Sequence, residues 1–101
     1  MKSPFRTEVL TQIKKQGLAI IFYNDDLDKC KKIVSACYEA GAKVIEFTNR
    51  DIWATRIFQA LYDYIQQQRM DILLGAGTII DQGTAAQYIN MGAAFIVSPV
   101  L

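Results

Sequence analysis

Four short apolar runs alternate with amphipathic segments along this chain, and the alternation limits the folds open to it. The runs cover residues 18–23, 43–48, 72–74 and 93–97, and they begin every twenty-odd residues. In the segments between them, apolar side chains recur at helical spacing. Strands that alternate with helices in this way pair in parallel, with the helices packed outside the sheet.

The predicted helices start and stop at residues that favour helix ends. Ser3-Pro4 suits the start of a leading helix that runs to Gly17. Asn24-Asp25-Asp26 caps the second helix, Gly41 ends it, and Asp81 caps the fourth, which stops at Gly92. The side chains predicted to pack inward are Cys30, Ile33, Val34, Cys37 and Tyr38, then Ala54, Ile57, Phe58, Leu61, Tyr62 and Ile65, then Ala85, Ala86, Tyr88 and Ile89.

A leading helix and four parallel strands make up half of an α/β (β/α)8 barrel, the TIM barrel, which takes about 250 residues when complete. Residues 40–45 also resemble residues 91–96, two βα units later, and such a repeat fits a barrel better than an open sheet. We therefore expect residues 1–101 to be the N-terminal half of a single barrel, without a second domain. Either the other half belongs to a longer chain, or half-barrels complete one another by association.

Composition excludes several classes of partner and site. A formal charge of +1 predicts no nucleic-acid partner and no anionic membrane surface. We find no apolar run of membrane-spanning length and no signal-peptide core, so we expect a cytoplasmic protein. The absence of histidine excludes His-dependent triads and most zinc sites, and Cys30 and Cys37 lie too far apart in one helix to form a disulfide. No metal or cofactor is predicted.

The second apolar run carries the clearest chemical signal. In the stretch Val44-Ile45-Glu46-Phe47-Thr48-Asn49-Arg50, a strand places Glu46 and Thr48 on one face and Ile45 and Phe47 on the other. A carboxylate buried in a strand costs several kcal/mol unless it is paired. Glu46 is therefore either a reactive carboxylate or a barrel-lining group paired with Arg50 or another basic residue. Arg50 by itself is equally consistent with a solvated loop cation.

Other polar groups follow the third and fourth runs, where parallel strands end and active sites form. In Gly75-Ala76-Gly77-Thr78, glycines would let backbone amides approach a carboxylate or phosphate, with the Thr78 hydroxyl beside them. A tight passage from strand to loop explains the same four residues equally well. The lysines considered (Lys2, Lys14, Lys15, Lys31, Lys32 and Lys43) all lie away from these strand ends.

Taken in order, the Glu46 stretch, Gly75-Ala76-Gly77-Thr78 and Ser98-Pro99 resemble three motifs of the 2-keto-3-deoxy-6-phosphogluconate (KDPG) and 4-hydroxy-2-oxoglutarate (KHG) aldolase family. The family patterns are Val-Leu-Glu-Val-Thr-x-Arg, Gly-Ala-Gly-Thr and Ser-Pro-Gly, at similar spacings. The resemblance implies a (β/α)8 class I aldolase, usually a metal-free trimer. Such enzymes split a 2-keto-4-hydroxy acid into pyruvate and an aldehyde through an imine on a lysine. Glu46 would be the acid/base, Arg50 a contact for anionic substrate groups, and Gly77, Thr78 and Pro99 parts of the pyruvate-carboxylate pocket.

This chain departs from the family pattern in two ways. The imine lysine of the family belongs to a later strand, so we expect it beyond residue 101 and expect residues 1–101 alone to be inactive. Tyr23-Asn24-Asp25 stands where the family often has a basic residue, and Val100 replaces a glycine. These changes bear on a phosphorylated substrate more than on pyruvate. Two alternatives remain: a catalytically silent half-barrel that binds or assembles, and another phosphate-binding barrel enzyme.

Overall fold

The computed structural model describes residues 19–99, so the predicted leading helix lies outside the described residues. Three strands, β1 (Ile20–Phe22), β2 (Val44–Thr48) and β3 (Leu73–Gly77), alternate with three helices, α1 (Leu27–Glu39), α2 (Ala54–Gln67) and α3 (Gln82–Asn90). The strands form a parallel sheet in the order β1-β2-β3. The predicted βα alternation and parallel pairing are confirmed.

Residues 93–97, predicted as a fourth strand, pair with β3 in parallel over a shorter stretch than expected. Ile96 forms a single bridge with Ala76. Backbone hydrogen bonds from Ala94 N to Leu74 O, at 2.8 Å, and from Val97 N to Ala76 O, at 2.9 Å, hold the segment in place. The pairing does not continue past Gly77, because Thr78 takes a left-handed backbone conformation. The predicted position is therefore right, but a regular strand does not form.

The helix ends follow the predicted capping residues. The Asp26 side chain accepts a hydrogen bond from Lys29 N at 3.2 Å, and Asp81 accepts one from Thr84 N at 2.7 Å. Gly41 and Gly92, just past the ends of α1 and α3, have φ values of +97° and +104°. This left-handed conformation favours glycine, which explains why both helices stop there.

The hydrophobic core lies between one face of the sheet and the helices. Ile45, Phe47, Leu74 and Ala76 form the sheet side of this core. The helices contribute Cys30 and Val34 from α1, Ala54, Ile57, Phe58, Leu61 and Ile65 from α2, and Tyr88 from α3. The opposite face of β2, which carries Glu46, is therefore the face turned away from the helices.

Helix α3 packs less extensively than its sequence predicts. Tyr88 is fully buried and meets the Phe58 ring edge-on at 5.0 Å, and Ala85 packs partly against the core. Ala86 and Ile89 were expected to pack inward, but both are exposed, Ile89 by 54%. The prediction was wrong because a nine-residue helix that rests on one large aromatic ring turns only a narrow stripe toward the sheet.

The two cysteines are free, with Cys30 buried and Cys37 half-buried, as predicted. None of the helices within residues 19–99 combines the length and hydropathy needed to cross a membrane.

Candidate active site

Glu46 occupies the middle of β2, and its side chain is only 8% exposed. Burial disfavours the charged carboxylate and raises the pKa of Glu46 above its usual range. Within residues 19–99 the one ion pair joins Lys43 and Asp71, at 3.2 Å, so Glu46 is not paired with Arg50 there. The Glu46 carboxyl group is thus held where burial favours its protonated form.

The Glu46 carboxyl group lies directly against Gly77. Glu46 is opposite Gly75 in the β2–β3 register, and Gly77 is two residues further along the strand. A side chain at Gly77 would overlap the Glu46 carboxylate, since its Cβ would lie 3.0 Å from Glu46 Cγ and closer still to the head group. The Glu46 side chain therefore leans toward the carboxyl end of the sheet, into space that only glycine leaves open.

The two glycines of β3 do not form the open anion-binding loop that their sequence suggested. Both belong to the strand, because β2 pairs with all five residues from Leu73 to Gly77. The space above Gly75 is filled by the Phe95 ring, and the space above Gly77 by Glu46. The glycines thus make room for protein side chains, and contact between the Gly77 backbone and a ligand stays a prediction.

Thr78 and Pro99 lie in neighbouring segments beyond the strand ends. Thr78 has a φ of +59°, which is unusual for a β-branched residue and costs free energy, and its side chain is exposed. Ser98 Oγ donates a hydrogen bond to Ile79 O at 3.0 Å. This bond ties the loop after Thr78 to the residue before Pro99, so the structure brings these two predicted site residues into one region.

Arg50 takes a different position. Its exposed guanidinium lies over the Tyr23 ring, 5.9 Å from the ring centroid. It also borders a cavity of about 430 Å³ lined by Asn49, Arg50, Asp51, Ile52, Thr55, Thr84 and Gln87. Glu46 is absent from this lining. Glu46, Gly77, Thr78 and Pro99 therefore lie along one stretch, since Gly77 and Thr78 are consecutive, while Arg50 lies at the cavity.

Sequence reasoning missed the polar contacts that hold the loop between β2 and α2. Tyr88 donates a hydrogen bond to Asn49 Oδ1 at 2.7 Å, and Tyr23 donates one to Asp51. Burial raises the pKa of Tyr88 to about 12, so its hydroxyl stays protonated and able to donate. The partners are 39 and 28 residues apart, and no local pattern indicates such pairs.

The described residues near Glu46 supply neither a metal site nor a lysine for imine formation. Among residues 19–99, no group of three acidic or cysteine side chains is arranged to hold a metal ion. The described lysines lie away from Glu46: Lys29, Lys31 and Lys32 belong to α1, and Lys43 precedes β2. Neither a metal site nor a nucleophilic lysine accompanies Glu46 in the part of the chain that the structure describes.

Comparison with solved structures gives close matches to one group of enzymes. The KDPG aldolase of Legionella pneumophila, captured with pyruvate as a covalent carbinolamine intermediate, is 26% identical with a TM-score of 0.73. The match includes 82% of this chain and 38% of the Legionella enzyme. The corresponding enzyme of Zymomonas mobilis ATCC 29191 is 25% identical with a TM-score of 0.70, at the same coverage.

A third structure, the 4-hydroxy-2-oxoglutarate/2-dehydro-3-deoxyphosphogluconate aldolase from TTHB1, is 27% identical with a TM-score of 0.71; 91% of this chain covers 43% of it. The chain thus spans about two fifths of the length of these enzymes.

A search of curated protein sequences gives no match. The model of the KDPG and KHG aldolase family matches residues 9–101. The parallel α/β fold is part of the barrel of these aldolases, and the chain belongs to the KDPG and KHG aldolase family.

Proposed function

We propose that the gene product containing this chain is a class I aldolase that cleaves a 2-keto-4-hydroxy acid into pyruvate and an aldehyde. The substrate is of the KDPG or 4-hydroxy-2-oxoglutarate type, and Glu46 is the acid/base. The observation that carries this proposal is the Glu46 carboxyl group, which is buried without an ion pair in the described residues and leans over Gly77 toward the carboxyl end of the sheet. Family membership and the pyruvate adduct of the Legionella enzyme support it.

In the proposed reaction, a lysine amine adds to the C2 carbonyl of the substrate and loses water to form an imine. Glu46 then removes the proton of the C4 hydroxyl, the C3–C4 bond breaks, and C4 leaves as the aldehyde carbonyl. The bonding electrons pass to the C2–C3 enamine. Glu46 returns its proton to C3, and water releases pyruvate from the lysine. The imine is the electron sink, so the proposed chemistry needs no metal or cofactor.

A carboxyl group suits both proton transfers when its pKa lies closer to neutrality than that of a solvated glutamate. Burial acts on Glu46 in this direction. The proposal places the imine lysine outside residues 19–99, because the described lysines lie on α1 or before β2. Within the chain, Arg50, Gly77, Thr78 and Pro99 are the proposed substrate contacts. The proposed assembly is a cytoplasmic homotrimer.

Borohydride trapping tests the proposal. The gene product is incubated with pyruvate, reduced with borohydride and digested, and the modified peptide is identified by mass spectrometry. We expect a pyruvyl adduct on one lysine outside residues 19–99, together with cleavage of a 2-keto-4-hydroxy acid. Absence of both would overturn the aldolase assignment and favour a silent binding or assembly module. Cleavage of a phosphorylated substrate without an adduct would favour a different barrel enzyme.

The role of Glu46 is tested with Glu46→Gln in the same gene product. Turnover should fall by about 10²- to 10⁴-fold, the usual contribution of general acid–base catalysis, while the fold is retained. Glu39→Gln is the matched control, because Glu39 is an exposed carboxylate at the end of α1. Wild-type turnover by the Glu46 variant would exclude Glu46 as the acid/base.

A further inference from the structure

We propose that Tyr23 is a positioning residue that keeps the Asp51 carboxylate away from Arg50, so that the Arg50 guanidinium stays available to an anionic group of the substrate. The inference rests on the proposed function for the identity of that substrate. It concerns the loop after β1 and the loop after β2, which lie side by side because the two strands are neighbours in the sheet.

The ring of Tyr23 has contacts on two sides. It packs against Phe47, with 5.4 Å between ring centroids, and it belongs to the edge of the hydrophobic core. The Arg50 guanidinium lies over the ring at 5.9 Å from the centroid. Packing against the core therefore fixes the Tyr23 ring where its face contacts Arg50 and its hydroxyl reaches the loop after β2.

Both oxygens of the Asp51 carboxylate are engaged. The Tyr23 hydroxyl donates to Asp51 Oδ2, and the backbone N–H of Trp53 donates to Asp51 Oδ1 at 2.8 Å. The second bond closes the turn that leads into α2. The carboxylate is thus held by a side chain from another strand end and by its own backbone.

Arg50 and Asp51 are adjacent in sequence and opposite in charge, yet they form no ion pair in the part of the chain that the structure describes. Arg50 is instead exposed and borders the cavity of about 430 Å³ between the β2–α2 loop and α3. A guanidinium that is not neutralised by its neighbour can form charge-assisted hydrogen bonds to a carboxylate or phosphate. The hydrogen bond from Tyr23 occupies the Asp51 carboxylate, which would otherwise compete with the substrate for Arg50.

The protonation state of Tyr23 is consistent with this role. The hydrogen bond to Asp51, followed by burial, raises the pKa of Tyr23 to about 12. The hydroxyl therefore remains a donor throughout the neutral range.

The test compares Tyr23→Phe, Asp51→Asn and the double variant in the gene product. Phenylalanine keeps the ring beneath Arg50 but removes the hydroxyl, so Asp51 is freed to pair with Arg50. An exposed ion pair of this kind should raise KM for a 2-keto-4-hydroxy acid about two- to fivefold, with kcat unchanged. Asparagine can still accept the Trp53 hydrogen bond but carries no charge, so the double variant should restore the wild-type KM.

A spectroscopic measurement shows, independently of turnover, whether Arg50 pairs with Asp51. The ¹⁵N resonance of Arg50 Nε should shift in Tyr23→Phe and return in the double variant. An unchanged KM, or a raised KM that Asp51→Asn does not restore, would overturn the positioning role. An unchanged Arg50 resonance in Tyr23→Phe would show that Tyr23 does not keep Asp51 away from Arg50. A wild-type protein without aldolase turnover would instead refute the proposed function, and the substrate role of Arg50 with it.

Discussion

Gly77→Ala should separate catalysis from stability in this protein. The added Cβ would lie 2.5 Å from Glu46 Cδ, where ordinary contacts are 3.4–4 Å, so the carboxyl group has to withdraw. The carboxyl group has to move by more than about 1 Å, and a misplacement of this size can cost about 10²-fold in rate. We therefore expect kcat to fall about 100-fold, equivalent to roughly 2.7 kcal/mol of activation free energy. The free energy of unfolding should fall by only about 1 kcal/mol, because the displaced group is the end of a flexible side chain.

The assay measures steady-state cleavage and urea unfolding on the same preparations, with two glycine controls. Gly75→Ala drives a Cβ into the Phe95 ring, which is less free to move, so it should cost about 1–3 kcal/mol of stability. Gly83→Ala adds a methyl group in the first turn of α3, 3.3 Å from Asp81 Oδ1, and should change the free energy of unfolding by less than about 1 kcal/mol, because the helix propensity of alanine opposes this close contact. Wild-type kcat in Gly77→Ala would refute the contact between Glu46 and Gly77 as the basis of catalytic placement.

Three further predictions concern stability, each measured by urea unfolding of the gene product. Tyr88→Phe removes the hydrogen bond to half-buried Asn49 and should cost about 1–3 kcal/mol; no loss would mean that water replaces the hydroxyl. Gly41→Ala should cost about 1–2 kcal/mol through its φ of +97° alone, since nothing lies near the added methyl, and a neutral result would contradict the left-handed helix end. Glu46→Gln should be more stable than wild type at neutral pH. The folded-state pKa of Glu46 is raised above its ordinary value of 4.5, so wild type loses stability as pH rises from that value to the folded pKa, and the variant does not. A stability difference that is independent of pH would contradict the raised pKa.

The order of the elements and the helix ends could be predicted because both depend on local chemistry. The caps at Asp26 and Asp81 and the left-handed glycines at Gly41 and Gly92 act within a few residues of their own positions. The apolar stripe of α2 was equally readable, since five of its six predicted positions are buried. Local signals of this kind do not depend on how the strands are aligned.

The packing of β3 could not be predicted in the same way. Gly75 and Gly77 read as a loop because glycine usually ends a strand, and their real neighbours, Phe95 and Glu46, come from other elements. Which side chain fills the space above a glycine depends on register and on side-chain direction, and neither is visible in a local pattern. The hydrogen bond from Tyr23 to Asp51 could not be predicted for the same reason.

The candidate site was predicted in part. A carboxylate in a β-branched and aromatic run indicated that Glu46 would be buried and chemically unusual. The structure confirms the burial of Glu46, and burial raises its pKa. Whether Arg50 pairs with it could not be decided from the sequence. In the described residues Arg50 lies over Tyr23 instead. The substrate contacts of Arg50, Gly77, Thr78 and Pro99 stay predictions.

The proposed function requires Glu46 to exchange protons with the methyl carbon of pyruvate. Proton NMR of pyruvate in D2O, with the gene product present, measures this step directly as loss of the methyl signal. We expect rapid exchange with the wild-type protein and with Glu39→Gln, and exchange slowed by about 10²-fold or more with Glu46→Gln. Exchange at the wild-type rate in the Glu46 variant would contradict this role of Glu46.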